Sequence, residues 1–423
     1  MRLGVAFSCF LISSGFSAHA ETANASRSCT QACDERGGAT WSTTYTHQVD
    51  VYSWTGSKIT PGSTAPTPAG GSQVYTSFGL QSTGTPVENF KLELNGRGGY
   101  VWSRQSTENL AGEVETFVDT TVSATATYLG FNGVQPFLAL SGNIPTGQSV
   151  VRGRGVNARM DSDLVGVGSF GAGWNIGPTL GVNLPVTPEI MIALSGGATF
   201  RAPYEQEGPI DFCTSQQGTR MQRPSDAYTL NGSLGYSSGA IFAQVSGSWT
   251  TETDSYVDDT PVYRAGNQWS AMVNASYSWT PAISTTVVGS WSYSEVNFSY
   301  DPTLYRLVPD QFNSNSHSYR VRIDQSVSLG DWTVAPYVSW LLRDQNAWDR
   351  QSFQFLPART KWGVGTAVRY RLTDKISLTS TFERVWIDDF ENPAKVINEN
   401  PIAAIPALHY DGWTATIALG WSF

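Results

Sequence analysis

Between residues 269 and 279 the side chains alternate with a period of two. Trp269, Ala271, Val273, Ala275, Tyr277 and Trp279 fall on one side, and Ser270, Met272, Asn274, Ser276 and Ser278 on the other. The next run repeats the pattern: Ile283, Thr285, Val287, Gly289, Trp291 and Tyr293 oppose Ser284, Thr286, Val288, Ser290, Ser292 and Ser294. Similar runs cover Tyr228 to Tyr236, Ile241 to Trp249, Trp332 to Trp340 and Trp362 to Leu372. This period predicts β-strands with one apolar and one polar face. The polar face is the informative one. In a soluble sandwich it would carry Lys and Glu toward water, but here it is Ser, Thr, Gly and Asn, with charge in selected strands only. Aromatic residues mark the ends of several apolar faces. Apolar-out, polar-in strands of this kind suit a transmembrane β-barrel.

The connections between strands fall into two classes that alternate along the chain. Short ones include "FNG", "PVTPE", "SSG", "TPA", "LGD" and "LTDK", and "TGTPVE" is read with them. Long ones cover 55–72, 104–113, 147–171, 201–225, 254–266, 297–315, 344–360 and 389–409. Such barrels place short turns in the periplasm and long loops outside, with an even strand number. The expectation is therefore an all-β, antiparallel up-and-down transmembrane barrel of about 16 strands over residues 44–423, or about 14 if 44–54 or 73–82 fails to pair.

Composition agrees. Mean hydropathy is -0.22 and charged residues are only 14%, beside 41 Gly, 15 Trp, 18 Tyr and 19 Phe. A neutral average is what alternating faces produce. The formal charge of -9 and the lack of a basic run exclude a nucleic-acid partner. Residues 1–20, with Arg2, a short apolar run and Ala18-His19-Ala20, read as a cleaved signal peptide. Residues 21–43 then form a flexible periplasmic segment in which Cys29 and Cys33 can pair as a local disulfide. Cys213 is left over, and two thiols at this spacing with no His nearby do not make a metal site.

The chain ends "DGWTATIALGWSF", with Trp413, Ile417, Leu419, Trp421 and Phe423 on one face. These residues resemble the C-terminal assembly signal of Gram-negative outer-membrane proteins. That resemblance implies an outer-membrane location, and as partners the barrel-assembly machinery, outer-membrane lipid and lipopolysaccharide. Pro145-Thr146-Gly147 and the glycines 171, 173, 177 and 181 are similar to the outer-membrane transporters of the phenol meta-cleavage pathway. That likeness implies a monomeric barrel passing hydrophobic or aromatic compounds. The inward Ser, Thr and Arg residues and the short N-terminal segment favour a porin-like channel for small solutes instead.

Strand parity assigns candidate lumen residues. If Tyr319, Val321 and Ile323 face lipid, then Arg320, Arg322 and Asp324 face inward. By the same logic Lys361, Arg369, Arg371 and Glu383 do too. Charge on the lipid face would cost about 2–4 kcal/mol for Arg at midplane. These cations read either as a stripe attracting anionic or carboxylate solutes or as a bracing network. Lys91, Glu93, Arg97 and Asp119 form a second, mixed-sign set. In "GQSVVRGRGVNARMDSDLVG", Arg152, Arg154, Arg159, Asp161 and Asp163 are candidates for a constriction loop. His47, His317 and His409 sit in no recognisable nucleophile motif, so no enzymatic activity and no cofactor are expected. Asp254, Asp258 and Asp259 are loop acids. The rival reading is a surface-interaction barrel, adhesin- or autotransporter-like, acting through its long loops.

Overall fold

The computed structural model describes residues 40–58, 66–107, 110–131, 133–210, 217–349, 352, 354–391, 395–397, 400–402 and 406–423. The expected signal peptide, Cys29, Cys33 and Cys213 lie outside them. Sixteen of the described strands close into one antiparallel barrel. In order these are β1 (Thr40–Lys58), β2 (Thr67–Val87), β3 (Phe90–Thr107), β4 (Ala111–Tyr128), β5 (Gln135–Ile144), β6 (Asn175–Pro185), β7 (Ile190–Arg201) and β8 (Ala227–Ser238). The second half comprises β9 (Ile241–Glu252), β10 (Gln268–Thr280), β11 (Ile283–Ser294), β12 (Ser318–Leu329), β13 (Trp332–Arg343), β14 (Arg359–Arg371), β15 (Ile376–Asp389) and β16 (Leu408–Ser422). The last strand pairs with the first, from Thr44 opposite Ser422 to Gly56 opposite Tyr410. Beyond it Phe423 and Thr43 exchange backbone hydrogen bonds at 2.9 and 3.0 Å. Closure leaves no backbone edge to be satisfied by hydrocarbon.

The outward face is hydrocarbon-suited. Leu138, Leu140, Leu180, Leu194, Leu230, Val245, Val273, Val321 and Val364 all stand exposed on it, a continuous apolar exterior far beyond what a water-facing surface carries. Aromatic rings bound it. At the long-loop end Trp249 opposes Trp269, Trp291 opposes Tyr319, and Trp362 opposes both Trp340 and Trp386. At the short-turn end Trp332 opposes Tyr370, with ring centroids 4.3 Å apart. From Trp362 to Tyr370 is about 27 Å of strand, or about 20 Å of height once strands tilt by 35–45°. That matches an apolar band of about 25 Å between aromatic girdles.

Two features depart from the sequence reading. Strands β1 to β4 are long, at 19, 21, 18 and 18 residues, where about 9–11 suffice to cross a bilayer. The long connection expected at 104–113 therefore shrinks to residues 108–110, and "TGTPVE" belongs mostly to β2. The outer faces there are polar, with Tyr100 and Trp102 donating to Glu115 and Glu113, so the alternation that marks a membrane strand is lost. The second departure lies in the long connections after β7, β9 and β11. Their hairpin strands Tyr204–Ile210, Gln217–Arg223, Ser255–Val257, Thr260–Arg264, Phe298–Asp301 and Arg306–Pro309 join into one six-stranded sheet.

Candidate functional site

The connection between β5 and β6 does not stand outside the barrel. It lies along the inner wall, and the wall is shaped to receive it. At its base β4 breaks register against β3 between Arg97 and Gly99. This bulge brings Asp119 to the root of the connection, as bulges re-aim side chains elsewhere. Its carboxylate accepts hydrogen bonds from the Gly147 backbone at 2.9 Å, the Ala172 backbone at 2.7 Å and the Asn143 amide at 2.8 Å. One carboxylate thus ties both ends of the connection to the wall. Close approach is obligatory here, because a Cβ on Gly147 would meet the Phe170 carbonyl at 1.9 Å.

The middle of the connection makes a 3-10 turn at Gly153–Ala158, pressed so closely on β4 that a Cβ on Gly112 would sit 2.5 Å from the Ala158 amide nitrogen. Ser103 donates to the Ala158 carbonyl at 2.9 Å. Gln73 acts like a strand edge toward Val167, donating to its carbonyl at 2.8 Å and accepting from its amide at 2.9 Å. Apolar contacts fill the rest. Met160 and Val165 pack with Tyr52, Trp54, Ile387 and Tyr410, and Val151, Ala158 and Phe170 pack with Tyr75, Val101 and Val114. Each fully buried aliphatic or aromatic side chain contributes about 1.5–3 kcal/mol. The connection is therefore a fixed lining of β1–β4, β15 and β16.

Its tip ends in a clamp. Arg359, with a side chain only 7% exposed, pairs with Asp161, with Asp163 at 3.1 Å and with Asp389 at 2.5 Å. Lys361 donates to the Asp163 carbonyl at 2.5 Å, and Arg320 lies 3.5 Å from the Asp163 carboxylate. Three carboxylates meet three cations. Burial alone would raise the Asp161 carboxyl, but the Arg359 charge and the Asp163 backbone N–H overcome it and hold the group below its ordinary value. On the loop's outer side Arg159 pairs with Glu207 of the six-stranded sheet at 2.5 Å.

The remaining sequence candidates scatter. Arg322 bridges to Asp324 at 2.7 Å and stacks over Tyr337 at 3.6 Å. Glu383 accepts from Ser339 at 2.9 Å, and Lys91 pairs with Glu93 at 2.9 Å. Arg369 reaches Ser377 at 3.4 Å. Arg371 pairs with Asp331 at the short-turn rim, both largely exposed. Arg152 and Arg154 are exposed on the loop. Trp413, Ile417, Leu419 and Trp421 lie on the outward face of β16 and Phe423 just beyond its end, the last four of the five exposed. Sequence reasoning missed Arg359 and Asp389 because both sit at strand ends that read as connection. Arg359 nevertheless shares parity with Lys361, Arg369 and Arg371, and that signal was available.

No family model and no curated relative matches this chain. Solved structures similar to it include a loop-deletion variant of OmpT, an outer membrane protein of Vibrio cholerae. It is 7% identical over 91% of this chain and 100% of that one, with a TM-score of 0.42. A bacterial polysaccharide outer membrane secretin is 9% identical over 89% of this chain and 98% of its own, with a TM-score of 0.40. An outer membrane channel from Pseudomonas putida F1 is 10% identical over 90% and 95%, with a TM-score of 0.35. The function of this chain has to be read from its own side chains.

Proposed function

We infer that the chain is an outer-membrane channel through which small hydrophilic solutes diffuse passively. The observation that carries this reading is the 145–174 connection laid along the inner wall and clamped at Arg359. A long loop bound to the inside of a barrel narrows the lumen without plugging it, and so acts as a size filter. The apolar exterior, the two aromatic girdles and the outward aromatic residues of β16 support the membrane location. The inner cations favour bracing over attraction, because Arg320 faces Asp163 and Arg322 is paired with Asp324. We therefore expect weak ion selectivity in place of a strong bias toward anions. The hydroxyl-rich inner faces of β7–β11 favour hydrophilic over aromatic solutes.

Refolded protein in a planar bilayer tests the reading. Steady, ohmic single-channel currents in KCl support it, whereas electrical silence with an intact heat-modifiable barrel overturns it. The six-stranded sheet built from three long connections favours a second reading, a surface-interaction role, which silence of that kind would promote.

A further inference from the structure

The inner wall is divided electrically. The charged groups described above lie on β3 and β4 (Lys91, Glu93, Asp119) and on β12, β14 and β15 (Arg320, Arg322, Asp324, Arg359, Lys361, Glu383). In β7–β11, the only Asp, Glu, Lys or Arg residues are Arg201 and Glu252, which pair with each other at the long-loop rim, 3.7 Å apart. Between the rims the inward positions are chiefly hydroxyls and amides. They run in register across strands: Ser195 opposes Asn231, which opposes Ser248, which opposes Ser270. Neighbours on this row are already in contact, with the Asn231 amide 3.3 Å from Ser195 and the Ser248 and Ser270 hydroxyls 2.7 Å apart. Each group keeps further donor or acceptor capacity. Two carbonyl oxygens on or beside this wall accept no hydrogen bond among the described residues: Oδ1 of Asn274 on β10, and Oδ1 of Asn183 on β6, in a residue only 7% exposed. A buried acceptor of this kind is costly to leave unpaired.

We propose that this uncharged wall is the permeation lane and that it selects neutral polyhydroxylated solutes, of the size of simple sugars, over charged solutes of equal size. The proposal rests on the channel reading above. A sugar exchanges its water hydrogen bonds for hydroxyl and amide partners on the wall. A charged solute sheds hydration there against no counter-charge, and the cations and carboxylates of the loop clamp across the lumen are already engaged with one another.

The test is tracer flux into proteoliposomes at zero membrane potential, with D-glucose, gluconate and glucosamine compared on one preparation whose KCl conductance is measured in parallel. Glucose flux should exceed both charged tracers by at least about threefold, a margin of the size that one or two solute–wall hydrogen bonds give. The double variant Asn231→Leu, Ser248→Ala should lower the glucose advantage, read as the ratio of glucose to gluconate flux in channels that still conduct KCl. Conducting channels in which gluconate or glucosamine matches glucose overturn the proposal and leave the channel reading standing. An unchanged glucose advantage in the conducting double variant overturns it as well. Absence of KCl conductance removes the channel reading itself, and the proposal falls with it.

Discussion

Replacing Arg359 with Met removes the cation that three carboxylates share, while keeping most of the side-chain volume. Asp163 and Asp389 are largely buried and Asp161 is about one-third exposed, so some of their repulsion is relieved by solvent. Breaking a buried ion pair costs about 3–5 kcal/mol, and the partial exposure of Asp161 places this case near about 3 kcal/mol. At about 1.4 kcal/mol per decade the open state of the loop tip becomes roughly a hundredfold more populated. The tip amides report it, because Leu164 and Val165 both donate to the Asp161 carbonyl, at 2.9 and 3.2 Å. Hydrogen exchange of peptides spanning 160–167 should accelerate by about that factor. The amides of Gly147 and Ala172, held by Asp119 at the far end, should keep their wild-type rates. Lowering the pH should shrink the difference between variant and wild type, since protonation removes the repulsion the Met side chain leaves behind. Unchanged exchange at the tip, or equal acceleration over the whole barrel, would refute the clamp.

The base of the loop gives a complementary result. Asp119→Ala removes an acceptor with three donors, and the Gly147 and Ala172 amides should lose about tenfold or more in protection, charged hydrogen bonds being worth about 1.5–3 kcal/mol each; unaltered protection there would contradict the anchoring role. The pH dependence of the wild-type tip follows from Asp161. Its carboxyl titrates lower in the folded protein than its ordinary value of 3.8, so its stabilising contribution is complete above that value and disappears as pH falls through the lowered one. Tip protection, corrected for intrinsic exchange, should stay flat from pH 7 to 5 and drop only in stronger acid; a loss already at pH 6 would contradict this. Leu180→Arg, at a position 66% exposed on the outer face, should cost about 2–4 kcal/mol in equilibrium folding into lipid vesicles, while Thr179→Arg next to it should cost far less. Equal costs would mean the faces are wrongly assigned.

Much of the barrel was legible in the chain because membrane strands write their orientation at every second residue. β8 to β11, β13 and β14 could be read directly, and the alternating Trp413, Ile417, Leu419 and Trp421 marked the outward face of β16. The upper parts of β1–β4 could not be read in this way. Their outer faces leave the hydrocarbon and become polar, while their inner faces are covered by the 145–174 connection, so polarity no longer reports direction. The six-stranded sheet escaped notice because its short strands carry Gly, Pro and Asp and pair across three separate connections. Asp161 and Asp163 stood out as charges, but their inward destination depends on partners far along the chain: Asp119 at a bulge, the closely approached Gly112, and Arg359 at the first position of β14. No local pattern encodes such complementarity, and it appears only when the barrel closes.

The loop is the central claim, and its removal tests it most directly. A chain in which residues 148–171 are replaced by a short Gly-Ser link, leaving the Asp119 anchor in place, should form the same barrel with a wider lumen. Single-channel conductance in KCl should rise at least about twofold, and larger neutral solutes should enter that the wild type excludes. A folded, loop-deleted barrel whose conductance and size limit equal those of the wild type would contradict the account.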